Sequence, residues 1–213
     1  MPLIKEPTQQ RSLETQERIL DAFEELLKET FLDDITVRQI AKKAGITPAT
    51  LYRRFKNKDA LLPVLYGRYE KLMEVWANDI WTPETLLQTK TLRDRISHIV
   101  SSHIEFYRKN KWMIRTLYLK ARTSNNDLET TGNTDRKRLY TDMFRPIWQL
   151  LSKENIDKLG SKIPFLILIL VSSMNEKMIF SDQKPANLID QTDDKFADQL
   201  SQCLTGILMN PST

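Results

Sequence analysis

Cysteine is almost missing from this chain: Cys203 is the only one in 213 residues. That excludes an internal disulfide and any multi-cysteine metal cluster within one chain, and leaves Cys203 the ordinary role of a small buried apolar residue. Histidine is nearly as scarce, with His98 and His103 making up the whole supply. Five positions apart, they fall on different faces of a helix and cannot share a metal ion, and no imidazole is placed to serve a serine-type triad. The expectation is therefore no enzyme, no metal and no cofactor. Glycine occurs five times, and no segment alternates apolar and polar residues as a half-buried strand would. Long apolar runs are missing too. The longest, residues 164–171, is far too short to span a bilayer, and the opening "MPLIKEPTQQRSLETQ" lacks the apolar core of a secretory signal. A cytoplasmic protein with no membrane partner is expected, without internal repeats or low-complexity tracts.

What is present is a helix-rich composition, 40% hydrophobic and 28% charged, with length for one large domain or a small one joined to a larger one. The net charge of +4 is modest, but it is unevenly spread. Glu14, Glu17, Asp21, Glu24, Glu25, Glu29, Asp33 and Asp34 dominate one stretch. From Arg38 to Lys58 there follow Arg38, Lys42, Lys43, Arg53, Arg54, Lys56 and Lys58 with no acid among them. A positive field confined to one short segment suggests an anionic partner.

The local signals in that segment spell out a helix, a tight turn and a helix. Ile19, Leu20, Ala22, Phe23, Leu26 and Leu27 place one apolar stripe on a preceding helix of roughly four turns. Thr36 stands at a helix N-cap, and Val37, Ile40, Ala41 and Ala44 continue at helical spacing to Gly45, a residue able to adopt the left-handed conformation that stops a helix. Thr47 can cap the next helix and Pro48 suits its first position. Leu51 and Phe55 point inward together, leaving Ala49, Thr50, Tyr52, Arg53 and Arg54 outward or sideways. Asn57 then caps a long helix starting at Lys58.

The segment "TVRQIAKKAGITPATLYRRFKNKDALL", Thr36 to Leu62, resembles the DNA-binding signature of the TetR family of bacterial regulators. The threonine-started helix, the Gly-Ile-Thr turn, the Leu-Tyr-x-Arg-Phe recognition helix and the Asn-Lys-x-x-Leu that follows occur in order and spacing. The resemblance implies an all-α fold: residues 1–13 a flexible arm, 14–57 a helix-turn-helix domain, and 58–213 an effector-binding and dimerisation domain. It implies double-stranded operator DNA as partner. Arg38 and Thr47 would meet bases or phosphates; Pro48, Ala49, Thr50 and Arg53 would lie near base edges; Tyr52 and Lys58 would meet phosphates. Thr36, which starts the motif, is counted with them. Arg54 stands where the family often has histidine. A recognition helix of about eight residues reaches few bases, and one bidentate pair discriminates by about 1–3 kcal/mol. Two copies on a palindrome, as a homodimer, would double the contacts.

Further along, helices are expected over 92–107, 112–121 and 135–151, the last kinked or restarted at Pro146, with residues 122–134 a loop. In the helix expected over residues 163–180, Phe165 to Val171 are apolar around the whole circumference, and the final helix carries one stripe. Leu166, Ile167, Leu170, Met174, Phe196, Leu200, Cys203, Leu204 and Ile207 would form a four-helix bundle with a second copy, or else pack wholly inside one chain. Trp76, Phe106, Trp112, Tyr118, Tyr140, Met143, Phe144 and Trp148 either line a pocket for an unknown small-molecule effector, as the resemblance implies, or are core. Besides a ligand-relieved repressor, a DNA-organising or cell-division protein and a protein-binding coactivator remain open on the same scaffold.

Overall fold

The computed structural model describes residues 7–123, 136–150, 162–188 and 190–209. Among them there is no strand. The helices are α1 (Pro7–Glu29), α2 (Val37–Lys43), α3 (Pro48–Tyr52), α4 (Leu62–Asp79), α5 (Pro83–Gln88), α6 (Leu92–Thr123), α7 (Arg136–Trp148), α8 (Ile163–Met174) and α9 (Asp193–Met209). No helix among the described residues is long and apolar enough to cross a membrane. The chain forms two compact units: Met1–Glu70 with Trp112–Asn133, and Lys71–Lys111 with Thr134–Thr213. Helices α4 and α6 therefore contribute residues to both.

The first unit is built on α1. Its stripe, Ile19, Leu20, Phe23 and Leu27, is fully buried with Ile35, Ile40, Leu51, Leu61, Leu62 and Leu65. Burying side chains of this size contributes about 1.5–3 kcal/mol each. The helix is longer than its stripe: residues 7–13, expected as a flexible arm, are helical, and residues 1–6 lie outside the described part. On the solvated side, Arg68 of α4 gathers three carboxylates of α1, bonding Asp21 at 3.0 Å, Glu24 at 2.5 Å and also Glu17. Their spacing of three and four residues puts all three acids on one helical face.

Two helix boundaries differ from the sequence reading for identifiable reasons. Asn57 does cap the next element, its Oδ1 accepting from the Ala60 amide at 3.0 Å, but the first turn, Lys58–Leu61, is 3-10 rather than α. Pro63 has no N–H to give the i−4 carbonyl, so α-helical pairing sets in only at Leu62. Residues 92–123 form one helix of 32 residues, where two were expected. The polar run Arg108–Lys111 interrupts the apolar stripe but contains no glycine or proline to interrupt the backbone, and the Asn110 amide folds back onto the Phe106 carbonyl at 2.9 Å.

In the second unit α5 opens with a capping box between Thr82 and Thr85. Helix α7 runs through Pro146 for two more residues before ending, and the Pro146 carbonyl accepts from the buried Arg95 guanidinium, which also donates to Thr89 O at 3.1 Å. Helix α8 ends in a π turn, Asn175–Ile179, where buried Asn175 accepts from the Tyr107 hydroxyl at 3.0 Å. Of the loop expected at 122–134, Arg122 and Thr123 belong instead to the last turn of α6, which no glycine or proline ends; residues 124–134 and the stretch 151–161 lie outside the described residues.

Candidate nucleic-acid interface

The geometry of α2 and α3 follows from their caps. Thr36 closes a reciprocal box with Gln39: its hydroxyl accepts from the Gln39 amide at 3.2 Å, and its own amide donates to Gln39 Oε1 at 2.7 Å. Gly45 takes φ +65°, a conformation costing an L-residue with a side chain about 1–2 kcal/mol, and this turns the chain from α2 into α3. Thr47 caps α3 by accepting from the Thr50 amide at 3.2 Å, and Pro48 occupies the first turn. Helix α3 is shorter than the sequence suggests, five residues, Pro48–Tyr52. Leu51 anchors it, fully buried.

What remains outward is a continuous polar and cationic surface. Arg38, Lys42 and Lys43 on α2, Pro48, Ala49 and Tyr52 on α3, its caps Thr47 and Arg53, and Lys56 after it are all exposed. Tyr52 leaves 56% of its surface open, unusual for a tyrosine. Arg38, Lys42 and Lys56 make no ion pair or hydrogen bond among the described residues, and Lys43 reaches only Glu29, at 3.5 Å. A string of hydroxyls orients one arginine: Thr47 Oγ1 and Thr50 Oγ1 lie 3.0 Å apart, and Arg53 Nη2 donates to Thr50 Oγ1 at 3.3 Å. Arg54 turns the other way, half-buried, donating to the Thr50 carbonyl at 3.5 Å. Of the two arginines, Arg53 is thus the one presented to solvent.

Two residues assigned to DNA stand differently. Thr36 is exposed but its hydrogen-bonding groups serve the capping box. Lys58, assigned to a phosphate, points its ammonium inward, donating to the carbonyls of Leu32 at 2.7 Å, Asp33 at 2.9 Å and Ile35 at 2.9 Å. An ammonium has three N–H bonds, and all are committed. The resemblance concerned the residue type; the carbonyls that claim it come from the Leu32–Asp34 turn and the Ile35 that caps its end, which no motif announces.

The aromatic residues divide between the units. Trp112 packs on the core of the first unit, under the Lys28 ammonium, and Tyr118 lies against Arg122. Neither joins the second unit's cluster, where Trp76 meets His103 edge-on at 4.5 Å and Phe106 at 4.8 Å, and Tyr140 stacks on His103 at 6.3 Å. Trp76 Nε1 donates to Ser102 Oγ at 2.9 Å. Met143 and Phe144 are buried on α7, and the Trp148 side chain lies outside the described residues. His103, which the sequence offered only as a rejected metal ligand, is the centre of this cluster. Its Nδ1 meets the Ile99 carbonyl at 2.9 Å, which fixes the proton there, while buried Nε2 has no hydrogen-bond partner among the described residues. Burial pushes its pKa down to about 4. Among the described residues no cluster of histidine, cysteine and carboxylates could hold a metal ion.

Of the residues considered for a dimer bundle, Leu166, Leu170, Met174, Leu200 and Leu204 are buried within their own chain. Ile167 and Ile207 are half-buried, Phe196 is half-buried near Lys177, and Cys203 is exposed rather than buried. The open side of α8 is carried instead by Phe165 and Leu168, each more than half exposed.

A family model described as bacterial regulatory proteins, tetR family, matches residues 19–65. The tetracycline repressor protein class D of Escherichia coli is 51% identical over 49 residues, covering 23% of this chain and 22% of the repressor. The fatty acid metabolism regulator protein of Bacillus subtilis is 27% identical over 120 residues, 54% of this chain and 57% of the regulator. The chain thus spans about a fifth of the first relative's length and just over half of the second's. The crystal structure of the transcriptional regulator FadR from Bacillus subtilis in complex with stearoyl-CoA superposes with a TM-score of 0.56 at 17% identity, over 89% of this chain and 97% of that one. It has the same fold.

Proposed function

We propose, from a chain that belongs to the TetR family of bacterial regulatory proteins through its N-terminal domain, that it is a sequence-specific DNA-binding transcriptional regulator. It acts as a repressor that a small molecule releases. One observation carries this reading: an exposed surface on α2 and α3 with five cations, Arg38, Lys42, Lys43, Arg53 and Lys56, and no carboxylate between Ile35 and Lys58. Small residues at the start of α3 let it approach base edges in a major groove, as Thr47, Pro48 and Ala49 allow here. Arg53 then reads a base, while Arg38, Tyr52 and the lysines hold phosphates and set register.

The operator is a palindrome read by a homodimer, because one short helix contacts too few bases to be selective. The two α3 helices stand about 34 Å apart, or a multiple of that. The second chain covers the open side of α8 around Phe165 and Leu168, together with Cys203 and Ile207 of α9. The effector binds in the second unit against Trp76, His103, Phe106, Tyr140, Met143 and Phe144, and its binding acts on α3 through α4. A coupling of about 1–3 kcal/mol suffices to release the operator.

Capture of genomic fragments by the purified protein, followed by sequencing, tests the reading. A recurrent palindrome is expected, with binding that weakens steeply as salt rises. Failure to retain any duplex at low salt would overturn it.

A further inference from the structure

We propose that Lys58 acts on operator binding as a positioning residue: its ammonium clasps the turn before α2 to the start of α4, and it makes no phosphate contact. The inference rests on the DNA-binding reading above and concerns how one residue serves it.

The carbonyls that Lys58 holds belong to Leu32, Asp33 and Ile35, separated from it by 26, 25 and 23 residues. Ile35 immediately precedes Thr36, the cap of α2; Asn57, immediately before Lys58, caps the turn that leads into α4. Both helices of the DNA-reading pair lie between these two ends. One ammonium therefore closes the loop that contains the whole pair, fixing where it enters and where it leaves. Leu32 O also accepts from the Ile35 amide at 3.2 Å, so the clasp reinforces the turn it grips. To reach a phosphate, the ammonium would have to loosen this three-carbonyl grip, and freeing the partly buried Ile35 carbonyl is costly. A free surface lysine has no such constraint, as Lys42 and Lys56 illustrate.

A phosphate contact and a clasp predict different things. Each phosphate neutralised contributes about 0.9 to the slope of log affinity against log salt. A clasp contributes nothing to that slope and acts only on the placement of α2 and α3. The variants are Lys58→Met, which keeps the apolar stem and removes the donors, and Lys58→Arg, which keeps donors; Lys42→Ala is the surface control. Affinity is measured by fluorescence anisotropy from low to high salt, on the captured palindrome and on an unrelated duplex of equal length. Amide hydrogen exchange is followed in the free proteins.

Lys58→Met is expected to lose about tenfold or more on the palindrome and little on the unrelated duplex, with the slope unchanged. Lys58→Arg recovers most of the loss. Exchange in Lys58→Met quickens over residues 32–53 and stays as in the wild type over α9. Without any variant, the Lys58 Nζ resonance of the wild type should keep its position and slow proton exchange when the palindrome is added. This last measurement decides the matter even if Lys58→Met does not fold. A slope lower by about 0.9, or an Nζ signal displaced on adding DNA, would overturn the clasp while leaving DNA binding intact. A wild type that binds no duplex would instead bring down the functional reading, and this inference with it.

Discussion

A single hydroxyl decides where α3 begins. Thr47 Oγ1 is the acceptor for the Thr50 amide and lies against Thr50 Oγ1, which in turn holds Arg53. Thr47→Ala should lower stability by about 1 kcal/mol, as N-cap losses do, read as a lower urea midpoint at unchanged m-value. The other residue with a measurable signature is His103. It stays neutral in the folded chain to about pH 4, whereas in the unfolded chain it takes up a proton near pH 6.5. Between those values the unfolded chain binds more protons, so stability must fall as pH is lowered from about 6.5 toward 4, by roughly 1.4 kcal/mol per unit at most. Denaturation of wild type and His103→Phe at successive pH values checks this: the variant should lack that part of the slope, and identical slopes would show that His103 is not buried neutral.

At the scale of elements, legibility followed locality. The turn from α2 to α3 was readable because its determinants, Thr36, Gly45, Thr47 and Pro48, act within a few residues of themselves, through caps and one backbone angle. Helix α6 was misread as two because the Arg108–Lys111 stretch breaks the apolar pattern, and the pattern reports burial rather than backbone continuity. The covering of each stretch changes there, since residues up to Lys111 belong to one compact unit and those from Trp112 to the other. Asn110→Pro tests the continuity: it should cost about 3 kcal/mol or more, as proline does inside a helix, and a shift within error would mean the helix is already interrupted. Lys58 and His103 were illegible for the opposite reason. Each has its role only through partners that folding brings to it, carbonyls more than 20 residues away for Lys58 and rings from other helices for His103.

For the molecule as a whole, the question is what covers α8. From Phe165 to Val171 its sequence is apolar on every side, yet among the described residues full burial is confined to the face of Ile163, Leu166, Leu170 and Met174, leaving Phe165 and Leu168 open. Replacing both with glutamate puts charge on a surface that the proposed second copy covers. Sedimentation should then show monomers at concentrations where the wild type is dimeric, with a weakened hold on a full palindrome and little change on a half-site. Persistence of the dimer would place the interface elsewhere.

Five residues make α3 about one and a half turns long, far below what water alone would sustain. Its shape is lent to it by Leu51 beneath and the threonines at its head. A synthetic peptide copied from residues 47–56 would be a structureless string with no reason to seek a groove. The reading head cannot be lifted from this protein by itself; whoever wishes to transplant it must carry its foundations along.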